Sequence, residues 1–570
     1  MRKFLTFLVY ATLIELAQMT SITMWIFRKQ VAIYGTNDDA LISSISSGQL
    51  TGAPDPHLIF IQPIISYPIV FLENITKTYS GYSIFLLFCA TMSFSLILVN
   101  MVIERKINVP LSIAWLISNV VFLSWYALNP TYTGSSIFTA GSAAALLIYL
   151  LKNNQSKNKA ALIASISLLF TLSYGIRIEG IYIFLVFALP FVLLNITQLS
   201  KLKKDISIII LLVGISFILN LILSANLYSN NEWSEYIKTN SIRHKIQLRE
   251  PERQMQSHLE EINWDTSTFE MFKRFILLDS KEMNSENMQI IINSTDEYVG
   301  VKSILKTNPQ STIKSIINSN KSWTWIIQIL SFIIFLNFLL RIGNINLFRL
   351  YFINVSILLL SILTLLYVLS GGFHLPERIS INTLGAFSMI LITLSSEKLY
   401  LAKKKRKIFI PIVLTLSALI LIKLTSRYQI ELEARENFYK TRQVYAIQQQ
   451  ETLNAMNDKI IISGASSLKS DWRFPYFKYT SFDPRNRILI LGWHNLSPIW
   501  SKSVKSLGLD PNNVNLAISS GLVAWVDSEE NISTLITYFN SIHKHSTQFT
   551  RLGDIGNGEY GLYKFQSIIK

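Results

Sequence analysis

Long apolar blocks alternate with short polar breaks along most of this chain. A bilayer crossing takes about 20 apolar residues in a helix. Eleven blocks approach or exceed that length: 4–27, 81–102, 110–128, 132–151, 160–176, 180–198, 206–228, 322–340, 350–370, 380–396 and 407–425. The stretch Leu58 to Leu72 is also apolar, but it is shorter and is broken by Pro63 and Pro68. It is expected to lie at the membrane interface or to re-enter from one side. Polar segments of about 28–80, 229–321 and 427–570 remain. The middle one has helical periodicity, scattered aromatics such as Trp233, Tyr236 and Trp264, and few Gly or Pro, which predicts folded helix. The last opens on a charged amphipathic stretch from Arg427. The strand-like runs KIIIS, RILILG, LVAWV and YGLYKF follow, with a helix-like stretch at Glu529–His543. They predict a small α/β domain. The expected fold is a polytopic α-helical membrane protein with about eleven crossings over 1–426 and an α/β domain over 427–570.

Charge supplies the orientation. Only 15% of residues are charged, below the ~25% of soluble domains. A net charge of +16 could suggest nucleic acid, but the Lys and Arg residues sit in short loops rather than on one soluble face, so no nucleic-acid partner is expected. With a cytoplasmic N-terminus, the inside loops collect Arg2, Lys3, Arg105, Lys106, Lys152, Lys157, Lys159, Lys201, Lys203, Lys204, Arg341, Arg349 and the basic run Lys398–Lys407, while the short outside loops hold only Arg177 and Arg378. The positive-inside rule then sets the N-terminus in and the C-terminus out. The part Lys403–Lys407 of that basic run is also placed to meet anionic lipid head groups. The first block is too long for a signal peptide and shows no clear cleavage site, so it reads as a retained helix. The lone Cys89 lies in an apolar block, which leaves no intrachain disulfide and makes a catalytic thiol unexpected.

Candidate chemistry gathers on the outside. "NDDALISSISSG" begins just past the first crossing, and its Asp38 and Asp39 admit two readings. Paired carboxylates can act as general base or hold a hard cation such as Mg²⁺ or Mn²⁺. They can equally be a helix start, since the run has the pattern of an N-cap. "YGIRIEGIY" places Arg177 and Glu179 at an outer helix end, either for a phosphate or as a local ion pair. "GGFHLPERIS" clusters His374, Glu377 and Arg378 at another outer end, where a positive charge is disfavoured in a short loop. "NPTYTGSSIFTAG" reads chiefly as close helix packing, with lining a cavity the lesser alternative. Glu15 lies mid-membrane and either serves function or hydrogen-bonds to a neighbouring helix. In "LILGWHNLSPIW", Trp493, His494 and Trp500 read chiefly as core, with sugar stacking the lesser alternative.

The order of these parts resembles the GT-C superfamily of integral-membrane glycosyltransferases. The resemblance covers the architecture of about 1–400 and reaches motif level at "NDDALISSISSG", then more weakly at "YGIRIEG" and "LPERI". It implies a polyprenyl-phosphate-linked sugar as donor and an envelope glycan, lipid or protein as acceptor, joined by an inverting displacement on the extracytoplasmic face. It also implies Asp38 or Asp39 as catalytic base, with or without a metal. Arg177, Arg378 and His374 would bind the donor phosphate, supported by Glu179, Glu377 and His57. The oligosaccharyltransferase-type Trp-Trp-Asp motif is absent, so a peptide-asparagine acceptor is not expected. A multi-pass protein of a bacterial plasma membrane is the expected setting. A flippase for lipid-linked glycans and a non-catalytic envelope scaffold are the competing readings.

Overall fold

The computed structural model describes residues 2–29, 32–104, 109–153, 156, 158–247 and, with short breaks, 488–568. It also describes parts of 259–294 and 351–359, all of 377–394, residues 334, 460–464 and 476, and single positions between 415 and 441. Up to residue 247 the helices are α1 (Arg2–Lys29), α2 (Asn37–Ser46), α3 (Pro63–Ile75), α4 (Gly81–Ile103), α5 (Val109–Leu128), α6 (Tyr132–Lys152), α7 (Lys159–Ile176), α8 (Gly180–Leu194), α9 (Ile196–Lys201), α10 (Lys203–Leu227) and α11 (Asn231–Gln247).

Among the described residues, six helices are long and apolar enough to cross a membrane: all but two residues at the start of α5, most of α1, and the whole of α4, α6, α7 and α10. Helices α4 and α6 are mostly buried, whereas α1 and α10 turn Leu5, Leu16, Met24, Ile210, Leu211 and Ile218 outward. An apolar surface of that extent is costly in water and costs nothing against hydrocarbon. The block expected at 180–198 instead forms a helix of 15 residues, with Pro190 inside it and Asn195 capping its end. The blocks at 322–340, 350–370 and 407–425 lie largely outside the described residues, and the block at 380–396 is the helix Glu377–Leu394.

The stretch with two prolines becomes α3, whose 13 residues reach about 20 Å at ~1.5 Å per residue. Its first turn is tied to α10: Asn220 Oδ1 accepts the Ile64 N–H at 3.2 Å, and Asn220 Nδ2 donates to Gln62 Oε1 at 3.0 Å. Its last turn is tied to α4, where Glu73 Oε1 accepts the Tyr82 N–H at 2.9 Å. Glu15 joins α1 to α4, accepting from the Thr91 hydroxyl at 2.5 Å and the Ser95 hydroxyl at 2.6 Å.

Small residues let α6 press onto the helix Glu377–Leu394. A Cβ built on Gly141 would stand 2.4 Å from the Ala386 Cβ, and one on Gly385 would stand 2.5 Å from the Phe138 ring. In the C-terminal region a five-stranded sheet has the order β2-β1-β3-β5-β4, with β1 (Ile460–Ser463), β2 (Ile488–Ile490), β3 (Val523–Asp527), β4 (Ser546–Ile555) and β5 (Tyr560–Ile568). β1 runs parallel to β2 and β3, and β5 runs antiparallel to β3 and β4. Four strands coincide with the strand-like runs. The fifth, β4, is an edge strand whose polar side chains are largely exposed, so its sequence lacks the apolar alternation of a buried strand.

The α6 contact yields a test. Gly141→Leu overpacks the seam and should cost about 1–3 kcal/mol, read as a lower unfolding temperature in detergent, with Ala386→Gly restoring part of the loss. Unchanged stability in Gly141→Leu would contradict this packing.

Candidate active site

Thr36 starts α2. Its backbone is extended (φ −143°, ψ 156°) and its side-chain oxygen accepts the Asp39 N–H at 3.2 Å. The helix-start reading of the acidic run is therefore right, and acids in a first turn also suit the helix dipole. The functional reading survives beside it, because the two acids have different surroundings.

Asp39 is fully buried. Its Oδ1 accepts from the Tyr82 hydroxyl at 2.7 Å and the Tyr132 N–H at 2.8 Å, while Oδ2 accepts from the Thr36 hydroxyl at 2.5 Å. Burial pushes its carboxyl up to about 7, although the bonds from Thr36, Tyr82 and Tyr132 each pull the other way.

Asp38 is half-buried, and its carboxylate has no hydrogen-bond partner among the described residues. Burial raises its proton affinity above the usual carboxylate range, against the opposing charges of Arg378 and then Arg177. Both guanidiniums named from the sequence therefore act on this one carboxylate. Arg177 caps the end of α7. It donates to Thr133 Oγ1 at 2.5 Å, pairs with Glu179 at 3.1 Å and lies 5.2 Å from the centre of the Tyr132 ring. Arg378 stands in the first turn of Glu377–Leu394, where its carbonyl accepts from the Asn382 side chain at 2.5 Å.

The structure thus groups Asp38, Asp39, Arg177 and Arg378, with Glu179 attached to Arg177. His374 and the Glu377 side chain lie outside the described residues. His57 belongs to a separate contact, between Asp55 and the carbonyl of Leu227. The residues that sequence reasoning missed are Thr36, Tyr82, Tyr132 and Thr133. Only Thr36 carried a local signal, an N-cap residue just before the acids. Trp493, His494 and Trp500 are core, as their sequence context suggested. Burial, followed by the charge of Arg243, drives the His494 imidazole down to about 3, so it is neutral at physiological pH.

Three hydrogen bonds already engage both oxygens of Asp39, and among the described residues no three His, Cys, Asp or Glu side chains gather.

No family model and no curated protein sequence matches the chain. Among solved structures, the crystal structure of ArnT from Cupriavidus metallidurans in the apo state aligns over 96% of this chain and 97% of that one, at 9% identity and a TM-score of 0.39.

Two outcomes test the Asp39 anchor. Asp39→Asn can keep all three contacts by donating to Thr36, and it should fold normally. Asp39→Ala leaves buried donors unpaired at about 1–3 kcal/mol each and should fail to accumulate in membranes. The pH dependence follows from the raised value. A buried carboxyl near 7, against 3.8 when exposed, favours the fold while protonated. That contribution is complete below about 4 and is lost as pH rises through about 7. Unfolding experiments should show this slope in the wild type and a flatter profile in Asp39→Asn.

Proposed function

We propose that this chain is a membrane glycosyltransferase of the GT-C type, moving a sugar from a polyprenyl-phosphate donor to a hydroxyl of an envelope acceptor at the outer membrane surface. The observation that carries the reading is Asp38: a half-buried carboxylate without a hydrogen-bond partner among the described residues, in the field of Arg378 and Arg177, at the start of a short helix between two apolar crossings.

In this mechanism the acceptor hydroxyl donates its proton to Asp38 as its oxygen attacks the anomeric carbon. The bond from that carbon to the phosphate oxygen breaks, and its electron pair leaves with the phosphate. A single displacement of this kind inverts the anomeric centre. A carboxylate with raised proton affinity is a better base than a solvated one. Arg378 and Arg177 oppose the charge that grows on the departing phosphate, which is where a preorganised cation lowers the barrier. Thr133, Glu179 and the Tyr132 ring hold Arg177 in place beforehand. Asp39 stays out of the reaction and fixes the helix start.

The flippase reading needs charges near the bilayer midplane. Glu15 is the acid placed there, and its bonds to Thr91 and Ser95 make it a tie between α1 and α4. The scaffold reading requires that Asp38 can be neutralised without consequence.

In a strain lacking the protein, wild type should restore the envelope glycan and Asp38→Asn should not, with its lipid-linked donor accumulating at normal protein levels. Arg378→Gln and Arg177→Gln should each slow transfer on the order of a hundredfold. Mass spectrometry of envelope glycans and polyprenyl-phosphate sugars reads all three. Restoration by Asp38→Asn would sink the enzyme reading.

A further inference from the structure

His57 lies in the first outside segment between two groups that can only accept. Its Nδ1 is 2.5 Å from Asp55 Oδ1, and its Nε2 is 3.1 Å from the carbonyl oxygen of Leu227, the last residue of α10. A neutral imidazole carries one proton, so one of these contacts would set a lone pair against an oxygen. Both are satisfied only by the imidazolium. The ring also stacks on Trp233 of α11, with centroids 4.3 Å apart and planes within 5°, as a cation does on an indole.

From His57 a continuous path of contacts leads to the candidate site. Trp233 packs on Tyr236, whose hydroxyl donates to the Trp493 carbonyl at 2.5 Å. Trp493 meets Phe60, which stacks on Tyr132. Tyr132 in turn donates to Asp39 and lies under Arg177.

We propose that His57, as an imidazolium, is a positioning residue that clasps helix α11 to the first outside segment and so braces the wall behind Asp39 and Arg177. The groups facing it are known from each side. Asp55 comes from its own segment, and Tyr228 lies 5.4 Å away just past α10. Lys502, from the helix Pro498–Ser506, acts on Asp55, and Tyr67 of α3 acts on Tyr228. Burial alone would raise the Asp55 carboxyl, but the His57 bonds and charge, then Lys502, hold it below its ordinary range. The clasp needs both ring nitrogens to donate. Its bearing on sugar transfer rests on the function proposed above, whereas the clasp stands on the contacts alone.

Hydrogen exchange of α11 in the full-length protein in lipid nanodiscs, corrected for intrinsic rates, tests this without any transferase assay. Protection of 231–247 should be on the order of tenfold higher in the wild type than in His57→Gln, which cannot donate toward both acceptors at once. His57→Arg, which keeps charge, donors and stacking, should match the wild type. Equal protection in the wild type and His57→Gln, or lost protection in His57→Arg, overturns the clasp and leaves the role of Asp38 untouched. Failure of Asp38 in the glycan assay likewise leaves the clasp standing.

Discussion

The buried carboxyl of Asp39 draws hydrogen bonds from Thr36 before α2, Tyr82 at the start of α4 and Tyr132 at the start of α6. Polar groups buried at this depth are tolerated only when paired, so the three elements are bound to one another's position. Successive residues on a helix point about 100° apart. Turning Asp39 into this pocket therefore turns Asp38 out of it, toward the charges of Arg378 and Arg177. One carboxyl is used as an anchor so that its neighbour can be presented unpaired.

The rest of the helical body serves that arrangement. Helix α6 brings the Tyr132 N–H to Asp39 at its first residue, and its glycines let the helix Glu377–Leu394 approach closely enough to bring Arg378 alongside. The end of α7 contributes Arg177, braced by Thr133 from α6. The C-terminal region closes the far side: a Cβ built on Gly492 would stand 3.5 Å from Leu41 Cδ2 on α2, and the Ser503 hydroxyl donates to the Leu50 carbonyl at 2.7 Å. A polar site at a membrane surface thus rests on contacts from residues hundreds of positions apart.

Much of this was legible in the sequence, because its signals are local. Apolar blocks show as runs, strands as short β-branched runs, and Arg177 and Arg378 as exceptions to a charge rule. The acidic pair was visible as a pair, but the division of labour within it was not. The partners that bury Asp39, Tyr82 and Tyr132, lie 43 and 93 residues away, and nothing near Asp38 or Asp39 announces them. The two readings of the acidic run were also not exclusive, since Thr36 caps the helix and supports the anchor with the same hydroxyl. The meaning of His57 was illegible for a similar reason: it comes from a carbonyl 170 residues on and the indole of Trp233 in α11. The edge strand β4 was missed because an exposed edge needs no apolar alternation.

The most direct test of the account is an electron cryo-microscopy structure of Asp38→Asn with a polyprenyl phosphate bound. The phosphate should lie between Arg378 and Arg177, with residue 38 facing it and Asp39 still held by Thr36, Tyr82 and Tyr132. A phosphate bound away from both arginines, or Asp39 released from its three donors to face the lipid head group, would contradict it.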